Sequence, residues 1–248
     1  MYRHLDENQI LMTLDALGRR IEERFPKSGL SLVSSELHTV ARETHDTIEY
    51  LRRPHWPLRI LATVSILMLL AILGSALVSL AAGLWTSRGS GQSGDIPEIV
   101  QTVESLVQEG VFLGIAVWFF LTLESRMKRR RALRAIHELR SIAHIVDMHQ
   151  LTKDPERLLS DQPDTASSPT RNMTRTQLGR YLDYCTELLS LTSKLAALYV
   201  QYFNDPVVLD TVSEVESLAG SLSNKIWQKI TLLDRSEGPL PAPAASAT

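Results

Sequence analysis

The sequence predicts an all-α membrane protein, with a two-span transmembrane helical hairpin joined to a cytoplasmic antiparallel helical bundle. Three observations predict it. Residues 60–85 hold no charged side chain and consist mainly of Leu, Ile, Val and Ala. A second apolar run, residues 110–123, is followed at once by a basic block. Elsewhere, apolar residues recur at helical spacing in four separate segments, and strand-like alternation is scarce.

The first run is long enough to span. At ~1.5 Å per residue it reaches roughly 39 Å, beyond the roughly 30 Å hydrocarbon core. Arg52, Arg53, His55 and Arg59 stand at its entrance with Trp56, and Trp85 stands at its exit, where interfacial tryptophans belong. Pro54 and Pro57 break the preceding helix. The second run is only about 21 Å as a helix, so the span must extend back into residues 105–108 or thin the bilayer. Glu109 and Glu124 bracket it, and Trp118, Phe119 and Phe120 sit just before the basic block. A buried or re-entrant helix is the competing reading of this run. The spans are placed at about residues 60–84 and 106–125 of a hairpin covering 57–125. The intervening loop, 86–105, begins Gly/Ser-rich, then Asp95 and Glu98 open a short amphipathic helix bearing Ile99, Val103 and Leu106.

Orientation follows from Lys and Arg asymmetry. Three arginines precede the first span, and Arg126, Lys128, Arg129, Arg130, Arg131 and Arg134 follow the second. The connecting stretch from Thr86 to Glu109 holds Arg88 against Asp95, Glu98, Glu104 and Glu109. Both termini are therefore expected on the cytoplasmic side of a plasma membrane, such as a bacterial inner membrane. Residues 1–7 are polar and lead into no short apolar core, so targeting falls to the internal apolar segment. The six-residue basic cluster is expected to face lipid as well, contacting anionic headgroups. Nucleic acid is disfavoured as a partner, because the cluster abuts the bilayer and lacks interleaved aromatics. Small residues recur every fourth position on the first span, at Ala71, Ser75, Ser79 and Gly83, and Gly110 and Gly114 lie on the second. They are the candidate packing seam between the spans.

Residues 1–53 carry two apolar stripes, Ile10, Leu14, Leu17, Ile21 and Phe25, then Val33, Leu37, Val40, Thr44, Ile48 and Leu51, separated by Pro26 and Gly29. Residues 174–235 carry two more, Leu178 to Tyr199 and Val208 to Ile230, with a tight break at Asn204-Asp205-Pro206. Thr174 with Gln177 predicts a capping box, and Asp205-Pro206 predicts an N-cap followed by proline at the first helical position. Two such hairpins predict one four-helix bundle. Between them, residues 126–152 form a juxtamembrane basic helix with the stripe Ala132, Ile136, Leu139, Ala143 and Val146. Residues 153–173 read as a linker and 236–248 as a disordered, Pro/Ala-rich tail.

Few residues point to chemistry. One cysteine, Cys185, excludes an intrachain disulfide and any multi-cysteine metal cluster. His137, His144, Asp147 and His149 are the weak metal candidates, since His137 and His144 share a helix face. No His-Glu-x-x-His pattern accompanies them, and the polar face opposite the apolar stripe accounts for them without a metal. Ser-x-x-Lys occurs in broken form at Ser190 to Lys194, and no Gly-rich phosphate loop is present. Tyr181, Tyr184, Tyr199, Tyr202 and Phe203 read as core rather than as a partner surface. The expectation is a non-enzymatic membrane protein without cofactor, a scaffold or regulatory module working through its helical bundle by binding a protein partner or self-associating. The alternatives are a subunit of an oligomeric small channel or membrane-perturbing effector, and a metal-dependent enzyme on the His137/His144 face.

Overall fold

A computed structural model describes residues 4–54, 56–90, 96–153, 155 and 173–235. Every element among them is a helix: α1 (Glu7–Arg24), α2 (Gly29–Arg52), α3 (Trp56–Ser90), α4 (Ile96–Leu151), α5 (Arg175–Tyr202) and α6 (Pro206–Arg235). The expected tail lies outside the described residues, as does nearly all of the expected linker. The chain divides into two compact units, one of Met1–Arg52 with Arg129–Thr248 and one of Arg53–Lys128.

The first unit is built on the predicted stripes. Asp6 caps α1 by accepting from the Asn8 and Gln9 amides. The Thr174–Gln177 capping box forms as its sequence implies, with both reciprocal hydrogen bonds present. Asp205 Oδ1 accepts from the Val207 and Val208 amides at 3.0 and 3.3 Å, starting α6 at Pro206. Lys27 takes the left-handed backbone (φ 55°) that turns α1 into α2. Leu14, Leu17 and Ile21 of α1 are sealed against Leu30, Leu37 and Ile48 of α2 and Leu182, Leu188, Leu189 and Tyr199 of α5. Gly29, read from sequence as part of the break after α1, is instead the first residue of α2. The His149 ring fills the space where a side chain at Gly29 would lie, 2.6 Å from Nδ1.

One part of this unit departs from the four-helix expectation. The second half of α4 is a fifth core helix, with Ala132, Ile136, Leu139, Ala143 and Val146 fully buried. The physical reason is area: a stripe of five apolar residues gains too much by leaving water to stay unpacked. Polar pairs fix how α4 runs. Arg129–Asp205, Arg140–Glu214 and Gln150–Lys229 step along α4 and α6 in the same direction, so these two helices are parallel. α1 runs antiparallel to α5, from Leu5 beside Gln201 to Phe25 beside Tyr181. α2 runs antiparallel to α4, from Gly29 at His149 to Tyr50 at Arg131. The chain therefore leaves this unit after Arg52 and re-enters it at Arg129 at the same end of the five-helix core.

The second unit comprises α3 and the first part of α4. Its apolar side chains are largely exposed, with Leu77 at 67% and Phe112 at 68%. Arg59, near the start of α3, pairs with Glu124 of α4 at 3.3 Å, and Lys128 pairs with the other Glu124 oxygen at 2.9 Å. Two differences from the sequence reading concern helix ends. α3 continues through Thr86 to Ser90, where a Gly/Ser loop was expected. α4 merges the expected short amphipathic helix, the second apolar run and the basic helix into 56 unbroken residues. Both follow from helix cooperativity: once nucleated, a helix extends through an unfavourable residue at a cost of only ~1 kcal/mol for Gly.

Candidate functional site

The most distinctive surface is the end of the five-helix unit where the chain leaves and re-enters. Sequence proximity grouped six basic residues about this point of the chain, of which Arg126 and Lys128 belong to the other unit, and the structure sorts them by partner. Lys128 is buried at 8% exposure and spends its charge on Glu124, four residues back. Arg129 is held by Asp205, with Nη2 and Nε donating to Oδ2 at 2.7 and 2.9 Å. Arg131 lies over the Tyr50 ring, 4.4 Å from its centroid, and Arg126 over Trp118 at 5.7 Å. Arg130 and Arg134 are exposed. Arg52, from the last turn of α2, joins this end of the unit by stacking on Tyr202 at 5.1 Å. Sequence reasoning assigned Arg52 to the entrance of the first span and missed that stack, because Tyr202 is 150 positions away.

The histidine constellation does not converge. His137 and His144 are exposed. Asp147 accepts from Gln150 Nε2 at 2.7 Å, and Gln150, 1% exposed, accepts from Lys229 Nζ at 2.8 Å. His149 turns away onto Gly29. Among the described residues, no group of three or more His, Cys, Asp or Glu side chains could hold a metal ion. Purified protein is expected to carry far less than one zinc, iron or manganese per chain, and His144→Ala to fold normally. Elemental analysis giving near one metal per chain, lost in His144→Ala, would contradict this.

At the proposed seam, a Cβ built on Gly110 or Gly114 would meet nothing within 4 Å, and the same holds at Gly74. Ala71, Ser75 and Ser79 are exposed, and nothing is described around Gly83. Among the described residues of α3, the least exposed small side chains are Ala62 and Ala76, at 5% and 8%. Ala76 lies one residue round the helix from Ser75.

A groove between α1 and α5 is lined by His4, Gln9, Thr186, Ser190 and Lys194. Lys194 Nζ donates to Ser190 Oγ across one helical turn. This is the broken Ser-x-x-Lys of the sequence, its two partners four positions apart.

Buried protic groups stabilise the core of the five-helix unit in one protonation state. Burial pushes the Cys185 thiol from 9.0 up to about 12, against a lowering influence of Lys229. Burial pushes the Tyr199 phenol from 10.0 up to about 12, against its hydrogen bond to Thr44 Oγ1 at 3.1 Å. Tyr181 is raised too, by burial first and Cys185 second. Each folded value lies above the unfolded one, so the folded chain retains protons that the unfolded chain releases. Their contribution is full below pH 9 and is lost as pH rises towards 12. The denaturation midpoint should therefore fall steadily over that window, and a thiol reagent at neutral pH should leave Cys185 unmodified until the chain unfolds. Rapid labelling of the folded chain would refute this account of the core.

These features define a class before any relative does: an all-helical protein in which α3 and α4 are long and apolar enough to cross a membrane. In comparisons with known proteins, no family model matches the chain, and neither a curated protein nor a solved structure matches it.

Proposed function

We propose that the chain is a two-span integral membrane protein of the plasma membrane with both termini cytoplasmic. In this reading it is a non-enzymatic scaffold or regulatory module whose helical core meets a protein partner or a second copy. The observation that carries the membrane part is a contrast in exposure. The five-helix unit closes its own apolar core, whereas α3 and the first part of α4 leave Leu, Val, Ile and Phe side chains open along their length. Water is a poor solvent for such a surface and hydrocarbon a good one. Departure and re-entry at one end of the five-helix core, with the Arg59–Glu124 pair, support a hairpin. The Lys and Arg asymmetry supports the orientation. In intact cells, a membrane-impermeant thiol probe should label Ser90→Cys, and should label Thr248→Cys only after permeabilisation, both in a Cys185→Ser background. The opposite labelling would overturn the orientation.

The second reading, an oligomeric small channel or membrane-perturbing effector, rests on the open space at Gly110 and Gly114. Two glycines four apart on an exposed helix allow close backbone approach by a neighbouring helix. The mass of the nanodisc-embedded particle separates the readings. A monomer or dimer fits a scaffold. Several chains per particle, reduced by Gly114→Leu, would favour the channel.

A further inference from the structure

We propose that Arg52, Arg130, Arg131 and Arg134 form a binding site for the phosphate of an anionic phospholipid headgroup, a deepening that rests on the membrane reading above. All four are exposed. Among the described residues none has a carboxylate partner, while Lys128 and Arg129 of the same block are each bound to an acid. The block is thereby split into charges neutralised inside the protein and charges left for something else. A solvated surface could leave arginines unpaired too, but two of these are held in place. Arg131 lies 4.4 Å from the Tyr50 ring centroid and Arg52 lies 5.1 Å from that of Tyr202. Stacking engages the flat face of a guanidinium and leaves its edge N–H donors pointing outward. Those edges match two oxygens of a phosphate in bidentate fashion.

The stacks also bring the residues together from distant parts of the chain. Tyr50 and Arg52 lie two residues apart in the last turn of α2, so α4 meets that turn through the Arg131–Tyr50 contact while Arg52 leaves it on another face, and the four arginines form a patch around the end of α2. Arg134 follows Arg131 by three residues and Arg130 by four, which places all three within about one turn of α4. The occupant is chosen by depth. Arg52 precedes Trp56, the first residue of α3, by four positions. Arg131 follows Leu123, the last residue of the apolar run, by eight residues of one unbroken helix, roughly 12 Å. The headgroup layer extends only roughly 5–7 Å beyond the hydrocarbon, and the long arginine side chains of α4, tilted towards the helix N-terminus, reach back towards it.

The test uses the full chain, purified in detergent and titrated with phosphatidylglycerol or phosphatidylcholine, with bound lipid counted by native mass spectrometry. Phosphatidylglycerol should be retained in preference to phosphatidylcholine. The quadruple variant R52Q/R130Q/R131Q/R134Q should bind it at least about tenfold more weakly with unchanged helical content. Arg131→Lys should fall between the two, because it retains the charge and loses the fork. Arg140→Gln, a charge lost elsewhere on α4, should bind as wild type. Equal retention of both lipids, or undiminished binding by a folded quadruple variant, would overturn the site. Complete displacement by millimolar inorganic phosphate would overturn the headgroup assignment in favour of a soluble phosphate ligand. The membrane reading fails separately, if alkaline carbonate strips the chain from membranes; a chain that resists extraction yet shows no lipid preference overturns only this site.

Discussion

Asp205→Ala is expected to destabilise the five-helix unit by about 2–3 kcal/mol, from two losses at one carboxylate. Oδ1 caps α6, accepting from Val207 and Val208, and a lost cap of this type costs ~1 kcal/mol. Oδ2 binds Arg129 at 2.7 Å. The Asp205 side chain is 7% exposed, but Arg129 is 39% exposed and can turn to water when abandoned, so the pair contributes only ~1–2 kcal/mol. Asp205→Asn separates the two, since its amide oxygen still caps the helix while the charge is gone. It should recover about a third to a half of the loss. Chemical denaturation followed by circular dichroism reads all three proteins. If Asp205→Ala denatures at the wild-type midpoint, the Arg129–Asp205 contact contributes nothing to the fold.

Leu139→Ala should cost about 3 kcal/mol, within the ~2–5 kcal/mol usual for a sealed leucine. Leu139 is 0% exposed on the part of α4 that joins the core. Its neighbour on the same helix, Leu151, is 62% exposed, and Leu151→Ala should stay within ~0.5 kcal/mol of wild type. The pair tests whether α4 is a structural member of the core or an appended helix. Two small effects of equal size would restore the four-helix arrangement that the stripes suggest.

What could be read from the sequence was whatever depends on neighbours along the chain. The stripes of α1, α2, α5 and α6 are periodic, and their residues are the ones buried. The Thr174–Gln177 box and the Asp205 cap need only three or four residues of context, so both were legible. The second hydrogen-bonding role of Asp205 was not, because Arg129 is 76 positions away and nothing local marks the two as partners. For the same reason the basic block read as one surface, although Lys128 is buried and Arg129 is bound. His149 falls on a different side of the helix from His144, but that its ring rests on Gly29 of another helix was not legible. Helix ends were the remaining misreading. Gly and Ser at 86–90 signal a loop only if breaking the helix gains something, and α3 continues through them.

The five-helix core is interrupted in sequence by residues 53–128, and this sets a schedule for biosynthesis. α1 and α2 are complete when Arg52 has been added, but their apolar stripes also pack on α4 and α5, and the last buried core residue is Leu233. The ribosome must add 233 − 52 = 181 further residues first. At ~5–20 residues per second the first two helices wait roughly 10–40 s with Leu14, Leu37 and Ile48 uncovered on one side. During that interval the apolar stripes of the nascent N-terminal hairpin lack their partners from α4 and α5, and a truncated chain would carry the same uncovered surface.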